Sequence, residues 1–361
     1  MIALKEQTKT LICIGSGGVG KTTLAATVAI GKAHEGYKVL VLTIDPSLRL
    51  AQALGMKPDG EVHDLTTSEM KNKNGKLFAC VIQHEKAFHE FILKASDNKL
   101  ASTDIKKLTE NKLYKQLSTK LSGSQEFTSL FKLNQYVSSG VYDLVILDTP
   151  PAQHTWQFLK APEKLSQLFN EGVASWFRNP KQSDIGLFKK ILNIGTTQVL
   201  KALETLTGAD FIKELALFFA AIQNWQAPLE KQVLDCHKLL TAPTTEFILV
   251  TMLDPSRITE CQKISHEITK EGYNLTSLVI NKVPDWFKKR TQSKVSFESA
   301  KLQSLSLYYQ TLEEKFNSSV SSGVKTSFKN QLNIYKCPEV SQSKLHEKSL
   351  SEVYLQIERS V

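Results

Sequence analysis

Short apolar runs bounded by glycine or polar turns alternate with longer helical patterns in the first part of this chain. "TLICIG" (10–15) and "KVLVLTID" (38–45) are brief, apolar and β-branched, as buried parallel strands are. Between them "TTLAATVAIGKAHEG" (22–36) has helical spacing and stops at Gly36, a residue suited to a helix C-cap. Residues 10–45 therefore predict a βαβ unit. Three further strands are predicted at "YDLVILDTP" (142–150), "TEFILVTML" (245–253) and "LTSLVINKV" (275–283). Strands alternating with helices imply an α/β fold, a mostly parallel sheet flanked by helices.

Two long stretches break that rhythm. Residues 63–130 and 155–240 are almost wholly helical in pattern, with few strand signals. Within the second, residues 186–225 carry apolar side chains at three- and four-residue spacing, more than one core-facing stripe requires. A helical layer packed on the core and an apolar groove for a partner helix are both open readings. Residues 282–319 predict a surface helix, and "SSVSSGVKTS" after it a connection. The expected organisation is one domain over 1–361. Its core takes 1–62, 125–154, 241–284 and 330–361, an inserted helical subdomain 63–124 and 155–240, and the surface helix and connection 285–329.

Composition narrows the classes. An apolar fraction of 41% and a charged fraction of 22% over 361 residues suit a soluble globular protein with a substantial core. Five scattered cysteines without a C-x-x-C pair argue against a disulfide framework and against a thiolate zinc site, and favour a reducing cytoplasm. No segment approaches the ~20 apolar residues of a membrane span, so an integral membrane protein is not expected. The net charge of +9 is spread without a basic tract, which fits a lysine-rich surface better than a nucleic-acid partner.

The chemistry gathers at "GSGGVGKTT" (15–23). Gly15-Ser16-Gly17-Gly18-Val19-Gly20-Lys21-Thr22 fits G-x-x-x-x-G-K-[ST] in full, between a predicted strand and a predicted helix. Glycines let backbone N–H groups crowd around phosphate oxygens, and the helix aims its positive end at the same place. Lys21 is placed to reach the β- and γ-phosphates and Thr22 to offer its hydroxyl to Mg²⁺. Asp148 ends one apolar strand, as a Walker B aspartate would, and Asp45 ends the neighbouring one, where it would hold the attacking water.

Taken in order, "GSGGVGKTT", "TIDPSLRLAQALG", "LDTPPAQHTWQFL", "VINKV" and "CPEVSQSKL" resemble the ArsA family of ATPases over nearly the whole chain. That family includes arsenite-pump ATPases and the eukaryotic targeting factor for tail-anchored membrane proteins. The resemblance implies a P-loop NTPase fold, ATP and ADP with Mg²⁺ as ligands, and a homodimer driven by ATP. It also implies a hydrophobic helix or membrane protein as client. Carried over by position, Lys21 and Thr22 bind phosphate and Mg²⁺, with Thr23 close to the α-phosphate. Asp45 becomes the switch I aspartate and Asp148 the switch II aspartate, the latter on Mg²⁺ through water. Asn281 becomes the adenine-reading asparagine, and Pro338 lies in the loop covering the base.

The departures are specific. The family loop has a lysine where this chain has Ser16, so slow or altered hydrolysis with retained binding is expected, and Arg49 is the candidate substitute cation. Ala152 and Gln153 replace the usual Thr-Gly, while His154 and Thr155 keep the pattern. No C-x-x-C stands in 282–337, so the eukaryotic zinc clasp is not expected, nor is a thiolate arsenite site. Three readings follow: a slow ATPase controlling a helical client-binding subdomain, a nucleotide-gated binder or scaffold with little turnover, and a chromosome- or division-positioning relative. The last class is shorter and lacks the two helical insertions.

Overall fold

The computed structural model describes residues 1–44, 51, 54–96, 109–111, 114, 115, 118, 124–149, 158–169, 225–283, 333–339 and 347–360. Nine strands among them form one sheet in the order β3-β4-β2-β5-β1-β6-β7-β8-β9. These are β1 (Thr10–Gly15), β2 (Lys38–Thr43), β3 (His63–Asp64), β4 (Lys76–Val81), β5 (Leu144–Asp148), β6 (Thr245–Met252), β7 (Leu275–Val283), β8 (Asn333–Pro338) and β9 (Glu358–Ser360). Pairing is parallel except for the two outermost pairs, β3–β4 and β8–β9. The chain is an α/β protein with a mostly parallel sheet, as the alternation of apolar runs and helical patterns implies.

Continuous apolar runs place the strands. Every residue of β1 and β5 is buried, which is what a central parallel strand covered on both faces requires. Helix α1 (Lys21–His34) is buried along most of its length and packs on β1, β2, β4 and β5. It ends where the Tyr37 N–H reaches the Lys32 carbonyl at 3.1 Å. Helix α8 (Glu347–Leu355) lies against it, and Gly31 lets the Tyr354 ring approach; a Cβ there would stand 2.2 Å from the ring.

Residues 63–81 correct the sequence reading. They were expected in the helical subdomain, yet they hold β3, the short helix α2 (Ser68–Lys71) and β4. β4 pairs in parallel with β2 from Lys38↔Lys76 to Thr43↔Val81. Contacts divide the chain into a sheet unit (Met1–Val81, Tyr136–Thr155, Thr241–Val361) and a second unit (Ile82–Gln135, Trp156–Leu240). The boundary therefore falls at residue 82, not 63.

The second unit is helical among its described residues. It contains α3 (His84–Ala95), most of α4 (Ser124–Ser138), α5 (Ala161–Phe169) and most of α6 (Gln226–Thr241). Phe88, Phe91, Phe127 and Phe131 meet edge-on or tilted, with ring centroids between 4.9 and 6.0 Å apart. Lys132 pairs with Glu90 at 2.8 Å at its edge. The patch expected at 186–225 lies outside the described residues except for Trp225, as does the surface helix expected at 285–329.

Candidate functional site

The chain changes direction across the sheet between β1 and β6. The crossover after β1 runs to β2 on one side, and the one after β6 runs to β7 on the other. The carboxyl ends of strands at such a reversal frame the usual ligand crevice of open α/β sheets. There the last residue of β1, Gly15, pairs with Val250 of β6 with no room for a side chain. Gly15 sits at φ 151°, and a Cβ on it would lie 2.2 Å from the Val250 carbonyl oxygen. At the other end of the loop Gly20 sits at φ 91°, with Nδ2 of Asn281 occupying the space of its missing side chain at 2.3 Å. Glycine is required at both positions by geometry.

Helix α1 opens from Gly20 with no side chain capping its first turn and no acidic residue in that turn. The N–H dipoles of that first turn make the start of the helix attractive to an anion. Lys21, only 7% exposed, folds its ammonium back to donate to the Gly15 and Ser16 carbonyls, at 2.9 Å each. A buried ammonium needs such partners, and the loop's own backbone supplies them. Thr22 and Thr23 follow on the first turn, both half-buried.

Asp148, at the end of β5, is fully buried beside the loop. Its register partners are Thr43 on β2 and Cys13 on β1, and the Thr43 hydroxyl donates to Oδ2 at 3.1 Å. Thr149 donates to the Cys13 carbonyl at 2.7 Å and ties β5 to β1 just beyond. Burial, with Asp148 nearby, pushes the Cys13 thiol far above its ordinary range, so Cys13 is inert packing. Asp45 and Arg49 lie outside the described residues, as do Ala152, Gln153, His154 and Thr155.

Ser16 is buried and committed. Its hydroxyl donates to Glu260 Oε2 at 2.6 Å, and the same oxygen accepts from Arg257 Nη1 at 3.2 Å. Both partners lie on α7 (Pro255–Lys270), whose first turn is fixed by Asp254. That side chain accepts from the Ser256 and Arg257 N–H groups at 3.0 and 3.2 Å. Hydrogen bonds from Ser256 and Arg257 hold the Asp254 carboxyl below the usual carboxylate range.

On the far flank, the register shift in β7 after Ile280 aims two consecutive side chains at the loop. Asn281, 7% exposed, donates to the Val19 carbonyl at 2.8 Å. Lys282, at φ 57°, donates to the Gly18 carbonyl at 3.0 Å. Pro338 closes strand β8 beside Val283 of β7, so it stands in a strand end where a loop was expected. The structure thus gathers Gly15 to Thr23, Asp148, Asn281 and Pro338 along the carboxyl end of one sheet.

The family model described as an anion-transporting ATPase, ArsA, matches residues 8–329. The chain belongs to the ArsA ATPase family. A protein of Halobacterium salinarum named as an arsenical pump-driving ATPase is 33% identical over 162 residues, 44% of this chain and 24% of that protein. ATPase GET3B of Arabidopsis thaliana is 26% identical over 288 residues, 74% of this chain and 62% of that protein. ATPase get3 of Aspergillus terreus is 24% identical over 276 residues, 74% and 71% of the two chains. The chain thus spans 24% of the Halobacterium protein and less than two thirds of the Arabidopsis one.

Four residues at this ArsA-family site escaped the sequence reading: Thr43, Arg257, Glu260 and Lys282. The Arg257–Glu260 spacing is legible as a helical i,i+3 pair. That its carboxylate faces a serine 244 positions earlier is a product of the sheet order alone.

Proposed function

We propose that this ArsA-family chain binds Mg²⁺-ATP on the Gly15–Thr23 loop and hydrolyses it slowly, and that its nucleotide state controls the helical unit. The observation that carries the reading is Lys21, a buried ammonium held on its own loop's carbonyls at the start of an uncapped helix. An incoming polyphosphate would take over those donors and the first-turn N–H groups together.

The residues present suit both ligands. Thr22 on the first turn and Asp148, whose carboxylate accepts from the Thr43 hydroxyl, would hold Mg²⁺, the aspartate through water. Bound Mg²⁺ supplies charge neutralisation across the phosphates. Lys21 would orient the terminal phosphates, and Thr23 would serve the α-phosphate. Asn281 would present its amide to the adenine, and Pro338 would lie in the segment that covers the base. Asp45, next after Ile44, would hold the attacking water, the role its place after β2 gives it. Relatives named ATPase GET3B and ATPase get3 support the enzyme reading. A homodimer acting on a hydrophobic helix or membrane-protein client, in the cytoplasm, completes the proposal. Among the described residues no helix is long and apolar enough to cross a membrane.

One observation favours the runner-up, a nucleotide-gated binder with little turnover. The hydroxyl of Ser16 is engaged by Glu260, so the position that carries a lysine in the family brings no charge of its own. Steady-state hydrolysis and ATP affinity of the wild type, Ser16→Lys and Asp45→Asn separate the two. Turnover that Asp45→Asn abolishes without loss of binding supports the enzyme. Binding without turnover, restored by Ser16→Lys, supports the binder.

A further inference from the structure

The bridge across the sheet reversal joins three side chains that none of the relatives' names explains. Ser16 gives its only hydroxyl proton to Glu260 at 2.6 Å, and Arg257 donates to the same carboxylate oxygen at 3.2 Å. A carboxylate drawn up to the rim of an anion site would oppose a polyphosphate, and a guanidinium on the same oxygen cancels that charge. Arg257 has five N–H donors in a planar fork. One of them is on Glu260, and the side chain is 38% exposed. Its backbone is fixed by the Asp254 cap at the start of α7.

We propose that Arg257 is the cation this chain presents to the terminal phosphate of ATP in place of the missing loop lysine. Glu260 and Ser16 act as positioning residues: the carboxylate holds the fork, and the buried hydroxyl fastens the carboxylate to the loop. The inference rests on reading Gly15–Thr23 as a nucleoside triphosphate site. It replaces Arg49 as the substitute cation, because Arg257 is already tied to Ser16 by one shared oxygen. A guanidinium fits the task, since its fork matches a phosphate's oxygens with two parallel hydrogen bonds.

Calorimetric titration of the full chain with Mg²⁺-ADP and with a non-hydrolysable Mg²⁺-ATP analogue tests it, on the wild type, Arg257→Ala and Arg257→Lys. Losing one charge-assisted contact to the terminal phosphate should weaken analogue binding by about ten- to a hundredfold. ADP, which lacks that phosphate, should bind Arg257→Ala within about threefold of the wild type, and Arg257→Lys should recover part of the analogue's affinity. The melting temperature should move by only a few degrees, as for the loss of a half-exposed pair. Equal weakening of both nucleotides, or of neither, overturns the inference and leaves the loop reading standing. A wild type that binds neither nucleotide overturns both.

Discussion

One methyl group added at Gly20 strains two features at once. The residue sits at φ 91°, where an L-residue costs about 1–2 kcal/mol. The new Cβ would also stand 2.3 Å from Nδ2 of Asn281, so the amide has to leave the Val19 carbonyl it serves at 2.8 Å. Losing that hydrogen bond adds about 1 kcal/mol, for a total of roughly 2–3 kcal/mol in Gly20→Ala. Asn281→Ala loses the same bond by another route. In the double variant the methyl meets no amide, and only the backbone cost remains beside the effect of Asn281→Ala. The two changes should therefore be less than additive by about 1 kcal/mol. Urea denaturation followed by circular dichroism gives the four free energies. Additivity within about 0.3–0.5 kcal/mol would refute the proposed contact between the phosphate loop and β7.

Three further outcomes follow from buried groups. Burial holds the His84 pKa at about 4, and its Nδ1 lies 2.9 Å from Thr128 Oγ1. Below its ordinary pKa of about 6.5 the unfolded chain takes up a proton that the folded imidazole refuses. Stability should thus fall between pH 6.5 and 4, by up to about 3 kcal/mol, and His84→Gln should flatten that slope in denaturation curves; an unchanged slope contradicts this. All five cysteines are buried, and burial pushes Cys13 and Cys236 far above their ordinary range and Cys261 up to about 12. A thiol reagent should label the folded chain far more slowly than the unfolded one, and rapid labelling would reopen the thiolate arsenite site. Glu246, 1% exposed, accepts from the Thr8 hydroxyl, the Lys5 N–H at 2.9 Å and the Thr276 hydroxyl at 2.7 Å. Glu246→Ala strands those donors and should cost about 2–4 kcal/mol in thermal denaturation, with Glu246→Gln milder; a neutral alanine variant contradicts the network.

What was legible in the sequence was what local chemistry decides. β1, β2, β5, β6 and β7 announce themselves by short, mostly apolar stretches at their centres, because a strand covered on both faces has little room for a polar side. Helix α1 and the phosphate loop are legible for the same reason, since glycine spacing and one lysine define their chemistry. β4 was lost because "KLFACV" lies only two residues before "HEKAFHEFI", and a short apolar run beside a helix has no periodicity of its own. β8 and β9 carry Asn, Lys, Glu, Arg and Ser, and exist as strands through their pairing. Lys282 and Glu260 belong to the same class. A bulge in β7 and the packing of α7 on β6 and β7 bring them to the loop, and both depend on contacts far apart in the chain.

The central claim is that Lys21 and the loop around it receive the phosphates of Mg²⁺-ATP. Isothermal titration of the wild type and Lys21→Ala with ATP, with and without Mg²⁺, tests it most directly. The account predicts saturable binding at one site per chain that strengthens with Mg²⁺ and weakens at least tenfold in Lys21→Ala. Equal affinity in the two proteins, or no binding in the wild type, would contradict it.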